Sequence, residues 1–165
     1  MKGLFILLLF LLVGCHHDPW KNTSIYSSSS QYTLARLSYP PSNPNKGIEL
    51  EMTRLGEEVY AYVNVYQYTF PPKDSQLDKT TLTIHTEETA ETFVLPLMEG
   101  GQRVRLTDPC LHHLLLSLST HSTITLSSGH FSQVINTKNF KNHYKALLHK
   151  PSFIRPQNLI NFELY

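Results

Sequence analysis

The sequence predicts a mainly β or α+β domain: an antiparallel sheet or a small β-sandwich, with two short helices toward the C-terminus. Two observations support this fold class. Between residues 31 and 106, apolar and polar residues alternate in short runs separated by turn residues, as they do in half-buried antiparallel strands. After residue 108 the apolar spacing changes to three and four, the period of an amphipathic helix.

The first three predicted strands follow one another through turns. They cover residues 31–39, 48–53 and 59–68, and Gly56 joins the last two as an antiparallel hairpin. In the third strand, valine and alanine alternate with tyrosine, so one face is apolar. The opposite face carries Tyr60, Tyr62, Tyr66 and Tyr68.

A second hairpin is predicted over residues 80–86 and 91–97, and a short strand over 102–106. The short strand carries Arg103 and Arg105, which we expect to pair with acidic residues on the neighbouring strand. The alternative is that these two guanidinium groups bind a carboxylate or phosphate bidentately.

The helices are predicted from caps and leucine spacing. Asp108 is the expected N-cap of the first helix, with Pro109 at its first position, followed by leucines at i, i+3, i+4 and i+7. Residues 122–126 and 131–135 form a third hairpin, and 139–148 the second helix. The apolar tail, 151–165, is expected to pack back on the domain, for example as an edge strand.

The chain begins with a different kind of segment. Lys2 precedes a short apolar run that ends in small residues before a cysteine, the order of a secretory signal. Its last residues, Leu12-Val13-Gly14-Cys15, resemble the lipobox of bacterial lipoproteins. The resemblance implies that residues 1–14 are removed as a signal peptide and that Cys15 is acylated and holds the protein to membrane lipid. The alternative is an uncleaved anchor or an ordinary secretory signal, but the apolar run is shorter than the roughly 20 residues of a spanning helix.

This reading divides the chain into three parts: the signal (1–14), the lipidated Cys15 with a serine-rich flexible tether (15–30), and one globular domain (31–165). In the lipoprotein family, the residues after the cysteine help sort proteins between membranes. Here they are His16 and His17, without the Asp that indicates inner-membrane retention. We therefore expect a lipid-anchored protein of the bacterial cell envelope, at the outer membrane and facing the periplasm.

The net charge and the absence of known catalytic motifs argue against several classes of function. Removing the signal takes away Lys2 and leaves 13 basic against 13 acidic residues. A net charge of zero argues against a dedicated surface for nucleic acid or for anionic lipid, because both would need an excess of basic residues. Glycine-rich phosphate loops, paired zinc-ligand motifs and serine-nucleophile motifs are absent from the sequence, so no cofactor, metal site or catalytic residue is predicted.

The leading hypothesis is a non-enzymatic binding or accessory subunit that contacts another envelope protein through Tyr60, Tyr62, Tyr66 and Tyr68. Tyrosine is common at protein contacts, although strands favour it anyway and a helix covering this face would make it structural. The alternative is a cell-wall or glycan-directed hydrolase or ligand-binding lipoprotein that uses Cys110, His112 or His113. A third possibility is a metal carrier that uses His112, His121 and His130.

Overall fold

The computed structural model describes residues 18–25, 34–74 and 76–149, and in these ranges nine strands and two helices form two packed layers. The elements are β1 (Lys21–Ile25), β2 (Leu34–Tyr39), β3 (Glu49–Leu55), β4 (Glu58–Asn64), β5 (Lys79–His85), β6 (Ala90–Pro96), β7 (Arg103–Arg105), α1 (Asp108–Thr120), β8 (Thr123–Ser128), β9 (Phe131–Asn136) and α2 (Phe140–Leu148). The predicted fold class, antiparallel sheets with two short helices, is confirmed.

The strands form two antiparallel sheets. The first sheet has the order β1-β2-β3-β4-β7 and the second the order β6-β5-β8-β9. A single bridge between Leu97 and Val104 links the end of β6 to β7, so the sheets meet along one side. The predicted β3–β4 hairpin is present, and Gly56 in its turn has φ +61°, a left-handed conformation that glycine adopts without a steric penalty.

The core lies between the sheets and is closed by the helices. Leu37, Met52 and Ala61 are aligned across β2, β3 and β4 and point inward, as the alternation of each strand requires. From α1, Leu114 and Leu118 complete the core, and α2 packs along β1, β2 and β3. The opposite face of the first sheet is the outer face, and the candidate site lies there.

The N-terminal boundary of the domain differs from the prediction. The segment predicted as tether contains β1, which pairs along its whole length with β2. Just before it, Trp20 is 4% exposed, and its ring packs against Tyr39 and Phe140. The prediction that residues up to 30 are a flexible tether is therefore wrong for residues 18–25, which belong to the folded domain.

Two further boundaries differ. The strand predicted over 59–68 ends at Asn64, so Tyr66 and Tyr68 lie in the following loop. Helix α1 begins at Asp108, with Thr107 as its N-cap, so Asp108 occupies the first turn and does not cap the helix. The predicted packing of the C-terminal tail falls on residues outside the described ranges. Among the described residues, no helix is long and apolar enough to cross a membrane.

Candidate functional site

The outer face of the first sheet is built on two carboxylates in its central strand. Glu49 and Glu51 alternate with the core residues of β3 and therefore point outward. They are nevertheless only 5% and 6% exposed. Burying two carboxylates side by side is costly unless cations and hydrogen bonds compensate them.

Two arginines from different strands supply that compensation. Arg103 of β7 donates hydrogen bonds from both terminal nitrogens to the carboxylate of Glu51. Nη2 lies 2.9 Å from Oε1, and Nη1 lies 3.3 Å from Oε2. Arg36 of β2 bridges the two glutamates, 2.9 Å from Glu49 and 2.8 Å from Glu51. The side-chain amide of Asn64 donates to Glu49 at 2.9 Å and accepts from Arg103 at 3.1 Å. The charges of the four ionised groups cancel, and the network joins β2, β3, β4 and β7.

The network also changes the titration of Glu51. Burial alone would raise the pKa of this carboxyl, but the hydrogen bonds and charge of Arg103 and the charge of Arg36 outweigh it. The pKa of Glu51 is therefore lowered, and this carboxylate stays ionised at neutral pH.

Tyr60 and Tyr62 flank the network on β4. The guanidinium carbon of Arg103 lies 3.9 Å from the ring centroid of Tyr62, and that of Arg105 lies 4.4 Å from the centroid of Tyr60. Cation–π contacts of this kind hold both partners in place. The hydroxyl of Tyr60 also donates to Glu58. Both rings are half-buried, and their positions are set by neighbouring strands.

The other two tyrosines of the predicted row lie beyond the strand. Tyr66 is 51% and Tyr68 57% exposed. Burial and the nearby carboxylate of Glu49 raise the pKa of Tyr66, so this tyrosine still borders the network. Tyr68 instead packs edge-on to His130, with ring centroids 6.3 Å apart. The structure thus keeps Tyr60, Tyr62 and Tyr66 around one site and places Tyr68 next to the β8–β9 turn.

We call Arg36, Tyr60, Tyr62, Arg103 and Arg105 the tyrosine–arginine face. At one end of it, the described residues form a groove of about 480 Å³ whose polar lining is Glu58, Tyr60, Arg105 and Asp108. The face therefore combines ordered aromatic rings, guanidinium groups and a shallow recess.

Sequence reasoning found the tyrosines but missed Arg36, Glu49 and Glu51. It also misplaced the partners of the strand arginines. Arg103 pairs with β3, two strands away from β7 in the sheet, and Arg105 packs on the ring of Tyr60. Charged residues at alternate positions of β3 were the available signal, but the order of strands in the sheet was needed to interpret it.

The alternative hydrolase site is not supported by the position of its thiol. Cys110 is completely buried within α1, and burial, together with the charge of Glu91, raises the pKa of this thiol to about 12. Nδ1 of His113 lies 2.8 Å from a carboxylate oxygen of Glu91, and His112 is exposed on the helix surface. A buried thiol with a raised pKa stays protonated at neutral pH and is a poor nucleophile, so the structure does not support the alternative in which Cys110 acts on a cell-wall substrate.

The three histidines of the metal hypothesis are spread over the fold. His112 lies in the first turns of α1, His121 just after its end, and His130 in the turn at the far end of β8. Within the ranges that the structure describes, no group of three or more His, Cys, Asp or Glu side chains is placed to hold a metal ion.

No protein-family model, no curated protein and no solved structure matches this chain.

Proposed function

We propose that this chain is a lipid-anchored protein of a bacterial cell envelope, facing the periplasm. In this proposal it acts without catalysis, as a binding or accessory subunit for another envelope protein. The observation that carries the binding role is the tyrosine–arginine face, in which two buried glutamates hold Arg36 and Arg103. Arg103 and Arg105 in turn pack on tyrosine rings.

Such a face suits a protein partner for two reasons. Tyrosine and arginine, together with tryptophan, are enriched among the residues that dominate binding energy at protein interfaces. Side chains that are already held in one conformation lose less entropy on binding than mobile ones do. Here Arg103 is fixed by Glu51 and in turn holds the ring of Tyr62, so the surface is ordered before a partner arrives.

The anchoring role is supported by the sequence of residues 1–15, which ends in Leu12-Val13-Gly14-Cys15 and resembles a lipobox. Acyl chains on Cys15 would confine the domain to the membrane surface, because two or more chains make dissociation slow. Confinement raises the local concentration of any partner in the same membrane.

The test is crosslinking in living bacteria followed by affinity purification and mass spectrometry. Four forms of the full chain are compared: the native protein, Cys15→Ala, Tyr62→Ser, and Val134→Ser as a control. Val134 is 58% exposed on the outer side of the second sheet, away from the tyrosine–arginine face.

We expect one discrete envelope protein to be captured by the native chain and by Val134→Ser. Its recovery should fall about tenfold or more with Tyr62→Ser, and should also fall with Cys15→Ala. Equal recovery of the partner with Tyr62→Ser would show that the tyrosine–arginine face does not bind it. Capture of no partner by the native chain would refute the accessory role.

A further inference from the structure

The folded domain begins close to the predicted anchor. Only His16 and His17 separate Cys15 from Asp18, the first described residue. Three residue steps span about 10 Å at most, even when fully extended. If Cys15 carries the lipid, the part of the domain around Asp18 must therefore lie at the membrane surface.

Asp18 is held directly against helix α2. Its Oδ2 atom accepts hydrogen bonds from Asn139 at 2.9 Å and contacts Nε2 of His143 at 2.9 Å. Its Oδ1 atom accepts from the backbone N–H of Trp20 at 3.1 Å. The side chain of Asn22 also donates to the backbone carbonyl of His143. The anchor-proximal corner and α2 thus form one unit.

The charge of the chain is strongly uneven along its length. Between Asp108 and Glu163 there is no acidic residue. Helix α2 and the turn before it lie within this stretch and carry Lys138, Lys141 and Lys145, all exposed. The carboxylate in contact with this region is Asp18, and His143 and Asn139 already occupy it. A net charge near zero therefore conceals a group of exposed lysines on α2 and the turn before it. Lys141 and Lys145 lie on a different side of this helix from the residues that contact Asp18.

We propose that this surface, formed by Lys138, Lys141 and Lys145, lies on anionic lipid headgroups of the membrane that holds Cys15. The inference rests on the proposed lipid anchoring. Basic side chains next to an anchor are attracted to anionic headgroups, and one lipid signal combined with a basic patch fixes orientation as well as attachment.

The orientation that results leaves the candidate binding site free. In the first sheet, β4 lies three strands from β1, about 14 Å at the usual strand spacing. With the β1 edge and α2 toward the lipid, the tyrosines of β4 remain accessible from the periplasm.

The far side of the domain, away from α2, carries Lys79. Its neighbour Thr80 lies beside the end of β8, because the Thr80 hydroxyl is 3.3 Å from that of Ser128. Lys73 is hydrogen-bonded to Lys79 through the backbone.

The test is lysine footprinting of the full-length acylated protein in lipid vesicles. The protein is reconstituted into vesicles of phosphatidylcholine alone, or of phosphatidylcholine with phosphatidylglycerol, and treated briefly with a membrane-impermeant acetylating reagent. Mass spectrometry gives the acetylation rate of each lysine. Lys73 and Lys79 are internal controls, because they lie across the domain from α2.

We expect Lys138, Lys141 and Lys145 to react about threefold or more slowly in the anionic vesicles, with the controls unchanged and the protection reduced by added salt. In the double variant Lys141→Glu with Lys145→Glu, the remaining Lys138 should lose its protection. The matched variant Lys73→Glu with Lys79→Glu should retain it.

The same digest separates this inference from the proposed function, because the mass of the N-terminal peptide shows whether Cys15 is acylated. A chain without acyl groups would refute the anchoring and the inference together. With acylation present, equal rates in both vesicles would overturn the inference alone. Slower reaction of Lys73 and Lys79 to the same extent as of the α2 lysines would also overturn it, because the protection would then not be specific to this surface.

Discussion

Replacing Trp20 with alanine tests whether residues before β1 are part of the folded domain or a tether. A tether residue contributes nothing to folding, so its replacement would leave the free energy of unfolding unchanged. In the structure, Trp20 is buried, with ring centroids 4.9 Å from Tyr39 and 5.2 Å from Phe140. Its indole N–H donates to the carbonyl of Asn136 at 3.1 Å.

The expected cost follows from these contacts. Truncation of a buried tryptophan to alanine lowers the free energy of unfolding by about 3–5 kcal/mol, because apolar contacts are lost and a cavity remains. The control Trp20→Phe keeps an aromatic ring but leaves the Asn136 carbonyl without this donor. The missing hydrogen bond should cost roughly 1 kcal/mol, so most of the loss should come from the ring.

The measurement is urea unfolding of each protein, followed by far-ultraviolet circular dichroism. Tryptophan fluorescence is unsuitable, because Trp20 is the single tryptophan of the chain. With a slope of about 2 kcal/mol per molar urea, Trp20→Ala should lower the midpoint by about 2 M. A Trp20→Ala midpoint equal to that of the native protein would show that the N-terminal segment does not belong to the core.

Three further predictions concern other parts of the fold. Cys110 is buried, and burial raises the pKa of its thiol to about 12. The thiol should therefore react with a maleimide only after denaturation, and rapid reaction of the folded protein would contradict its burial. The pKa of Glu51 is lower in the folded protein than in the unfolded chain, so the ionised carboxylate stabilises the fold. This stabilisation is complete above the ordinary pKa of a glutamate and is lost as the pH falls below about 4. Glu51→Gln should therefore flatten the acid limb of a stability–pH curve, and an unchanged limb would be contrary to the prediction. Gly129 has φ +57°, and a Cβ atom at this position would lie 2.5 Å from Pro71. Gly129→Ala should therefore lower the midpoint of thermal unfolding more than the control Gly56→Ala, because Gly56 has φ +61° but no atom within 4 Å of the position of its Cβ. Equal decreases in the midpoint would mean that the clash with Pro71 is absent.

The fold class was predictable because it depends on residues close together in sequence. Alternation in β3 and β4 and the leucine spacing of α1 reflect which side of a local element faces the core. The tyrosine positions on β4 followed from the same alternation. The end of that strand did not, because alternation continues past Asn64 although the paired register with β3 and β7 ends there.

The candidate site was predictable only in part. Tyr60 and Tyr62 stand out in the sequence, but the residues that hold them in place are spread over β2, β3 and β7. Glu51 and Arg103 are 52 positions apart, and their contact depends on a strand order that local patterns do not contain. Alternation alone places Glu49 and Glu51 on the side of β3 away from the core, but it does not show that two arginines bury them there.

The sequence by itself determined the lipobox resemblance, the antiparallel β character and the two helices, because each depends only on residues that are close together in the chain. Tertiary structure decided where the domain begins, since Trp20 is isolated among polar residues and is buried only by partners such as Phe140, far along the chain. It also decided which charges meet, because an ion pair such as that of Arg36 with Glu51 forms only when the sheet has brought the two strands side by side.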